Sequence, residues 1–259
     1  VAKISPNNVE IFDKNNKACT RDIQILDIKS EAASKGDNKH FMEKEIYEQP
    51  NAILNTLDGR IGGDDVLENI FGEGSNDLFA KVKRIQITAC GTSLHAGRVA
   101  ANWFSAIAGL PTQIDYASEY RYKNPYVDEN TLLVTISQSG ETADTLAALR
   151  YAKDQNYLAS LAICNVPTSS LARESDFLLL TNAGPEIGVA STKAFTTQLT
   201  ALMLLTLSLA KASGTNPRLR ARVIKALRQM PDIVEKSLEL KDDIVDIAVS
   251  YTHLRAHET

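Results

Sequence analysis

Residues 132–142 read Leu132-Leu133-Val134-Thr135-Ile136-Ser137-Gln138-Ser139-Gly140-Glu141-Thr142. The first five form a short apolar run with β-branched members, the pattern of a strand buried on both faces of a parallel sheet. Residues 143–152 are helix formers, with apolar positions at Leu146, Leu149 and Ala152. Strand, hydroxyl-rich turn and helix in that order aim backbone N–H groups beyond the strand end, a geometry suited to an anion. Ser137, Ser139 and Thr142 add hydroxyl donors, and Gly140 lets the backbone come close to a ligand. The same residues also suit plain capping, in which Ser139 or Thr142 satisfies the first amides of the helix.

Outward from this stretch the alternation repeats. Short apolar strands are expected over 84–89, 112–117, 132–136, 158–164 and 177–180. Between them lie a helix through Trp103, Phe104 and Ile107 that Gly109 and Pro111 stop, and a brief helix over 118–122 that ends before Pro125. A short helix over 169–174 and a long loop over 182–192 lead to an apolar helix over 193–211. Five strands alternating with helices predict an α/β fold: a doubly wound five-stranded parallel sheet with helices on both faces. Its crossovers should be right-handed. Ligands of such sheets bind at the C-terminal strand ends, near the point where strand order switches.

The flanks are less regular. Val9 and Ile11 sit on one side of Lys14-Asn15-Asn16-Lys17 and Ile23 and Ile25 on the other, which suggests a hairpin with too little apolar surface to stand alone. Residues 30–38 are small and polar, a linker by composition. Over 40–57 apolar and charged residues interleave, and Pro50 limits a first helix and opens a second. Asn216-Pro217 starts a helix expected to reach Met230, and Pro231 starts one more, reaching about Ser250.

The 259 residues suffice for one domain with flanking pieces, and 44% hydrophobic with 23% charged residues is ordinary for a globular chain. A net charge of −4 gives no support to nucleic-acid or anionic-membrane binding. Cys19, Cys90 and Cys164 are widely spaced, without a C-x-x-C, and read as reduced thiols of a cytoplasmic protein. No signal-peptide pattern opens the sequence. The apolar stretch over 194–210 carries Thr196, Thr197, Gln198 and Thr200 and reads as a buried core helix, not a membrane span.

Three loops fall at C-terminal strand ends: 90–93, 137–142 and 188–193. All three offer hydroxyls or small residues at a helix start, so together they make a pocket for a phosphate. No G-x-x-x-x-G-K-[ST] and no G-x-G-x-x-G accompanies them, which excludes a P-loop NTPase and argues against a dinucleotide site. Gln138 is placed to reach a sugar hydroxyl or to stand as an exposed loop amide. Lys193 either contacts the phosphate or points to solvent, and Glu186 is either a general base or a solvated carboxylate. Cys90 reads as a buried small residue and His95 as a helix-surface residue. His40 has no ligand partner, and His253 with His257 lacks the zincin glutamate, so no metal site is expected.

Four stretches carry a resemblance. Ala89-Cys90-Gly91-Thr92-Ser93, Ser137-Gln138-Ser139-Gly140-Glu141-Thr142 and Glu186-Ile187-Gly188-Val189-Ala190-Ser191-Thr192-Lys193-Ala194-Phe195-Thr196 resemble the isomerising glutamine–fructose-6-phosphate aminotransferase family. So does His40-Phe41-Met42-Glu43-Lys44-Glu45-Ile46-Tyr47-Glu48-Gln49-Pro50, which other sugar isomerase (SIS) domains do not share. The resemblance runs from about Val9 to Val249. It implies the end of a glutaminase domain over 1–28, a linker and helical lead-in over 29–81, and a first SIS domain, flavodoxin-like, with trailing helices over 82–250. Residues 251–259 depart abruptly from the family and read as a non-native tail.

By the same resemblance Thr92, Ser93, Ser137, Gln138, Ser139 and Thr142 hold fructose 6-phosphate or glucosamine 6-phosphate, with Val189 and Ser191 near the sugar. The phosphate belongs to the 137–142 loop. The family transfers glutamine-derived ammonia to fructose 6-phosphate, giving glucosamine 6-phosphate and glutamate, as a homodimer or higher homo-oligomer and without a cofactor. Its nucleophilic cysteine, its acid–base residues and its Schiff-base lysine match nothing in this sequence. No catalytic residue is therefore assigned, and the polypeptide alone is expected to turn over neither substrate. The alternative is an SIS-type module that binds a sugar phosphate for regulation.

Overall fold

The computed structural model describes residues 1–21 and 34–251. The chain divides into two compact units, Val1–Ser34 and Lys35–Thr259. In the first, β1 (Ala2–Ser5), β2 (Asn8–Phe12) and β3 (Ala18–Cys19) form an antiparallel sheet in the order β1-β2-β3. The β2–β3 turn is held by Asp13, whose Oδ1 accepts the amides of Asn15 and Lys17 at 2.8 and 2.9 Å. The expected hairpin turn is thus present, but Val9 pairs with Ile4, and the strand after the turn is Ala18–Cys19. Ile23 and Ile25, like His253 and His257, lie outside the described residues.

The second unit opens with α1 (Phe41–Tyr47) and α2 (Gln49–Leu57), and Pro50 stands in the first turn of α2 as its fixed φ favours. A two-stranded ladder, β4 (Ile61–Gly62) and β5 (Asp65–Val66), and α3 (Ser75–Phe79) follow. Neither is expected from periodicity, because both are too short to show one. Next come β6 (Arg84–Ala89), α4 (Gly91–Trp103), a π-helical turn (Phe104–Ala108), β7 (Thr112–Tyr116) and α5 (Ala117–Tyr120). β8 (Thr131–Ser137), α6 (Ala143–Ala152), β9 (Ala159–Cys164), α7 (Ser170–Glu174) and β10 (Phe177–Leu180) complete the sheet. The chain ends in α8 (Lys193–Ala212), α9 (Pro217–Leu238) and α10 (Lys241–Tyr251).

The five strands β10-β9-β8-β6-β7 pair in parallel in that order. From β6 the chain goes to β7 on one side and returns to β8 on the other. The switch point lies between β6 and β8, in the doubly wound order where ligands collect at the carboxyl ends. Alternation decides which residue faces which layer. Leu132, Val134 and Ile136 join Ile85, Ile87, Leu161 and Ile163 on the face covered by α2, α4, α8 and α9, while Leu133, Ala162 and Cys164 pack with Leu146, Leu149 and Leu171 on the other. The apolar α8 is long enough to cross a membrane, but Leu202, Leu204, Leu205 and Leu207 are fully buried and make it the central helix of the first face.

One expectation near the end of the chain is corrected. Pro231 does not start a helix: α9 runs through it to Leu238. The helix forfeits the amide bond at Pro231, yet its apolar stripe of Ile224, Leu227, Met230 and Val234 continues unbroken into the core. Tyr251 is the last residue of α10, so regular structure extends one residue into the segment read as a tail. The helical pair α1–α2 is also fastened beside the sheet's carboxyl end. Thr56 Oγ1 donates to the Thr181 carbonyl at 2.5 Å, and Arg60 Nη2 donates to the Leu180 carbonyl at 2.5 Å.

Candidate functional site

A cavity of about 220 Å³ opens at the carboxyl ends of β6 and β8. Its lining contains all eight residues singled out from sequence: Thr92, Ser93, Ser137, Gln138, Ser139, Thr142, Val189 and Ser191. Cys90, Ile136, Glu186 and Gly188 complete it. They come from three segments, each leading into a helix of ten residues or more: α4, α6 and α8. A helix start carries about half a positive charge, uncapped by any side chain at α4 and α6 but met at α8 by the Glu186 carboxylate. The volume lies below the roughly 300–1,000 Å³ of pockets for drug-sized molecules and suits a small polar ligand.

The 137–142 loop is built around its glycine. Gly140 has φ +66°, a left-handed conformation, and a Cβ there would overlap Ser169 Oγ and lie 2.5 Å from Ser169 Cβ. Gly140 N–H donates to Ser137 Oγ at 3.1 Å, and Ser137 Oγ lies 3.0 Å from Thr142 Oγ1. The Thr142 side chain makes no capping bond to α6, so its hydroxyl serves the loop and the cavity. Ser139 Oγ accepts the Glu141 amide at 3.2 Å in a local turn. From outside, Asn165 N–H donates to the Gln138 carbonyl, Leu171 N–H to the Gly140 carbonyl, and Ser170 N–H to Glu141 Oε1.

Asn165 joins this loop to the long one that follows β10. Its Oδ1 accepts the Ala183 amide at 2.8 Å and the Thr181 hydroxyl at 3.1 Å, and its Nδ2 donates to the Gly184 carbonyl at 2.7 Å. Glu186 then caps α8: Oε1 accepts the amides of Thr192 and Ala194, and Oε2 accepts from Ser191 Oγ at 3.2 Å. Among the described residues Glu186 is the one charged group in the lining. With both oxygens engaged, its part in the resting site is to order the loop. Val189, at the tip, is fully exposed.

Lys193 matches neither alternative read from sequence. It is 3% exposed and donates to Glu48 Oε2 at 2.6 Å, away from the cavity lining. Cys90 is half-buried and lines the cavity, whereas Cys164 is buried, and burial pushes its thiol above the usual range. His95 is exposed on α4.

Three contributors escape local sequence reading. Gln198, 1% exposed on α8, donates from Nε2 to Ser93 Oγ at 3.0 Å, so the Ser93 proton is left to point elsewhere. Asn165 reads locally as a loop amide, and Glu45 as a surface glutamate of an amphipathic helix. Yet Glu45 is 2% exposed, and its Oε1 accepts the amides of Ile187 and Gly188 at 2.6 and 2.8 Å. The one available signal is a polar residue set on an otherwise apolar face, as at Gln198 in α8.

Comparison with known proteins agrees with this architecture. A family profile described as "SIS domain" matches residues 78–208. The chain is 49% identical over 253 residues to the isomerizing glutamine–fructose-6-phosphate aminotransferase of Idiomarina loihiensis, 52% over 249 residues to that of Pseudomonas putida, and 47% over 252 residues to that of Escherichia coli K12. These matches cover 96–98% of this chain but 41–42% of each relative, so the chain spans about two fifths of their length. Among solved structures, the C-terminal domain of glucosamine-fructose-6-phosphate aminotransferase from Francisella tularensis superimposes with TM-score 0.82 at 46% identity. That match covers 85% of this chain and 62% of the other. Glucosamine-6-phosphate deaminase from Thermotoga maritima shares the fold, with TM-score 0.52 at 23% identity over 74% of this chain and 54% of its own. With the profile spanning the sheet from α3 into α8 and all three loops of the cavity, the chain belongs to the SIS domain family.

Proposed function

We propose that the cavity binds fructose 6-phosphate, and that the chain is the substrate-holding part of an isomerising glutamine–fructose-6-phosphate aminotransferase. In that reaction the amide nitrogen of glutamine passes to fructose 6-phosphate, giving glucosamine 6-phosphate and glutamate. The observation that carries the reading is a hydroxyl-lined cavity at three helix starts, with no lysine or arginine in its lining among the described residues. A phosphate there is held by Ser137, Ser139 and Thr142 as neutral donors and by the start of α6. Ser93, already accepting from Gln198, turns its own proton to the ligand. The 186–192 loop covers the hexose. The relatives match beyond the SIS span, through α1 and α2, and this favours the aminotransferase over a free-standing regulatory module.

Calorimetric titration of the 259-residue chain with fructose 6-phosphate and with fructose tests the reading. Fructose 6-phosphate is expected to bind far more tightly. Each hydrogen bond to a charged oxygen is worth roughly 1.5–3 kcal/mol, so Ser139→Ala should weaken binding roughly 10- to 100-fold. If fructose binds as well as its phosphate, the anion site does not exist. If Ser139→Ala binds like wild type, Ser139 only shapes its local turn.

A further inference from the structure

Glu45 lies on α1, outside the span matched by the SIS profile and 142–143 residues from the amides it holds. Burying a carboxylate is costly unless its oxygens are satisfied. Here Oε1 accepts two backbone N–H groups, while Oε2 has no hydrogen-bond partner among the described residues and sits where a Cβ on Gly188 would come within 2.5 Å. One turn further on, Glu48 receives Lys193 at the start of α8. α1 and the Glu48 junction that follows it therefore grip the long loop at both ends, at 187–188 and at 193. The residues between, including Val189 and Ser191, form the wall of the cavity.

We propose that Glu45 is a positioning residue for the sugar end of the site. It acts through the loop alone: by fixing the Ile187 and Gly188 amides it sets Val189 and Ser191 over the hexose. This rests on the sugar-phosphate reading above and adds a division of labour to it. The 137–142 loop recognises the phosphate by itself, whereas recognition of the sugar depends on α1. Gly188 is part of the device, because any side chain there displaces the Glu45 carboxylate.

The test uses the full chain as wild type, Glu45→Leu, which keeps the side chain's bulk but has no acceptor for the two amides, Gly188→Ala and the double variant. Each is titrated separately with fructose 6-phosphate and with inorganic phosphate, and amide exchange at 187 and 188 is followed without ligand. Both single variants should bind fructose 6-phosphate at least about tenfold more weakly, bind inorganic phosphate as wild type does, and exchange these amides faster. The double variant should be no worse than the weaker single one, since both remove one clamp. Equal losses for both ligands with a lowered melting temperature would assign Glu45 a general structural role. Unchanged affinity, or wild-type amides that exchange as fast as those of the variants, would overturn the clamp. A wild type that binds fructose 6-phosphate no better than phosphate defeats the sugar-phosphate reading instead, and amide exchange still judges the clamp.

Discussion

Gly140→Ala puts the shape of the phosphate loop to a quantitative test. Two separate penalties apply at this position. The left-handed backbone, φ +66°, costs an alanine roughly 1–2 kcal/mol. The new methyl also overlaps Ser169 Oγ and Cβ, and overpacking typically costs about 1–3 kcal/mol more. The sum is about 2–5 kcal/mol, a fall in melting temperature of roughly 4–20 °C for a unit of this size. The two parts can be separated. Ser169→Gly removes both overlapping atoms, leaving Leu171 Cβ at 3.5 Å as an ordinary contact. Ser169 caps α7 by accepting the Ala172 amide, but glycine at a cap costs only about a few tenths of a kcal/mol. The double variant should therefore recover roughly 1–3 kcal/mol and stay about 1–2 kcal/mol below wild type. Urea unfolding of the four proteins measures this. A Gly140→Ala variant within about 0.5 kcal/mol of wild type, or a double variant no more stable than the single one, would refute the account of the loop.

Gln198→Leu removes the donor to Ser93, so fructose 6-phosphate should bind roughly tenfold more weakly; unchanged affinity by calorimetry would show that Ser93 needs no orientation. The Arg150–Glu174 pair, with Arg150 Nη2 at 2.6 Å from Glu174 Oε1, predicts a pH effect. The Arg150 hydrogen bond holds the Glu174 carboxyl below its ordinary value of 4.5. A depressed folded-state value stabilises above the unfolded value, and that contribution is lost as pH falls below 4.5 through the folded one. Melting curves from pH 7 to pH 3 should therefore fall less steeply at the acid end for Glu174→Gln than for wild type, and parallel curves would show that the pair contributes nothing.

The sheet was legible because its central strands are short, mostly apolar runs whose turns begin with Cys90-Gly91, Ser137-Gln138 and Asn165-Val166. Strand order was not, since it depends on which edges pair and not on any local pattern. Pro231 misled because a proline is a strong local stop, yet the packing of α9 against the core outweighs one lost amide bond. The eight candidate site residues were legible through the hydroxyls that six of them carry, through the Gln138 amide and through their resemblance to a family. Their supports were hidden for a physical reason: Glu45, Asn165 and Gln198 each act on loops 16–143 residues away. Nothing local marks a glutamate in an amphipathic helix as buried.

A crystal structure of the chain soaked with fructose 6-phosphate tests the central claim most directly. The phosphate is expected within hydrogen-bond distance, about 3 Å, of the Ser137, Ser139 and Thr142 hydroxyls, with the hexose under Val189 and Ser191. A sugar phosphate seated instead in the larger groove of about 790 Å³ beside Lys39, His40 and Lys241, with the hydroxyl loop empty, would contradict it.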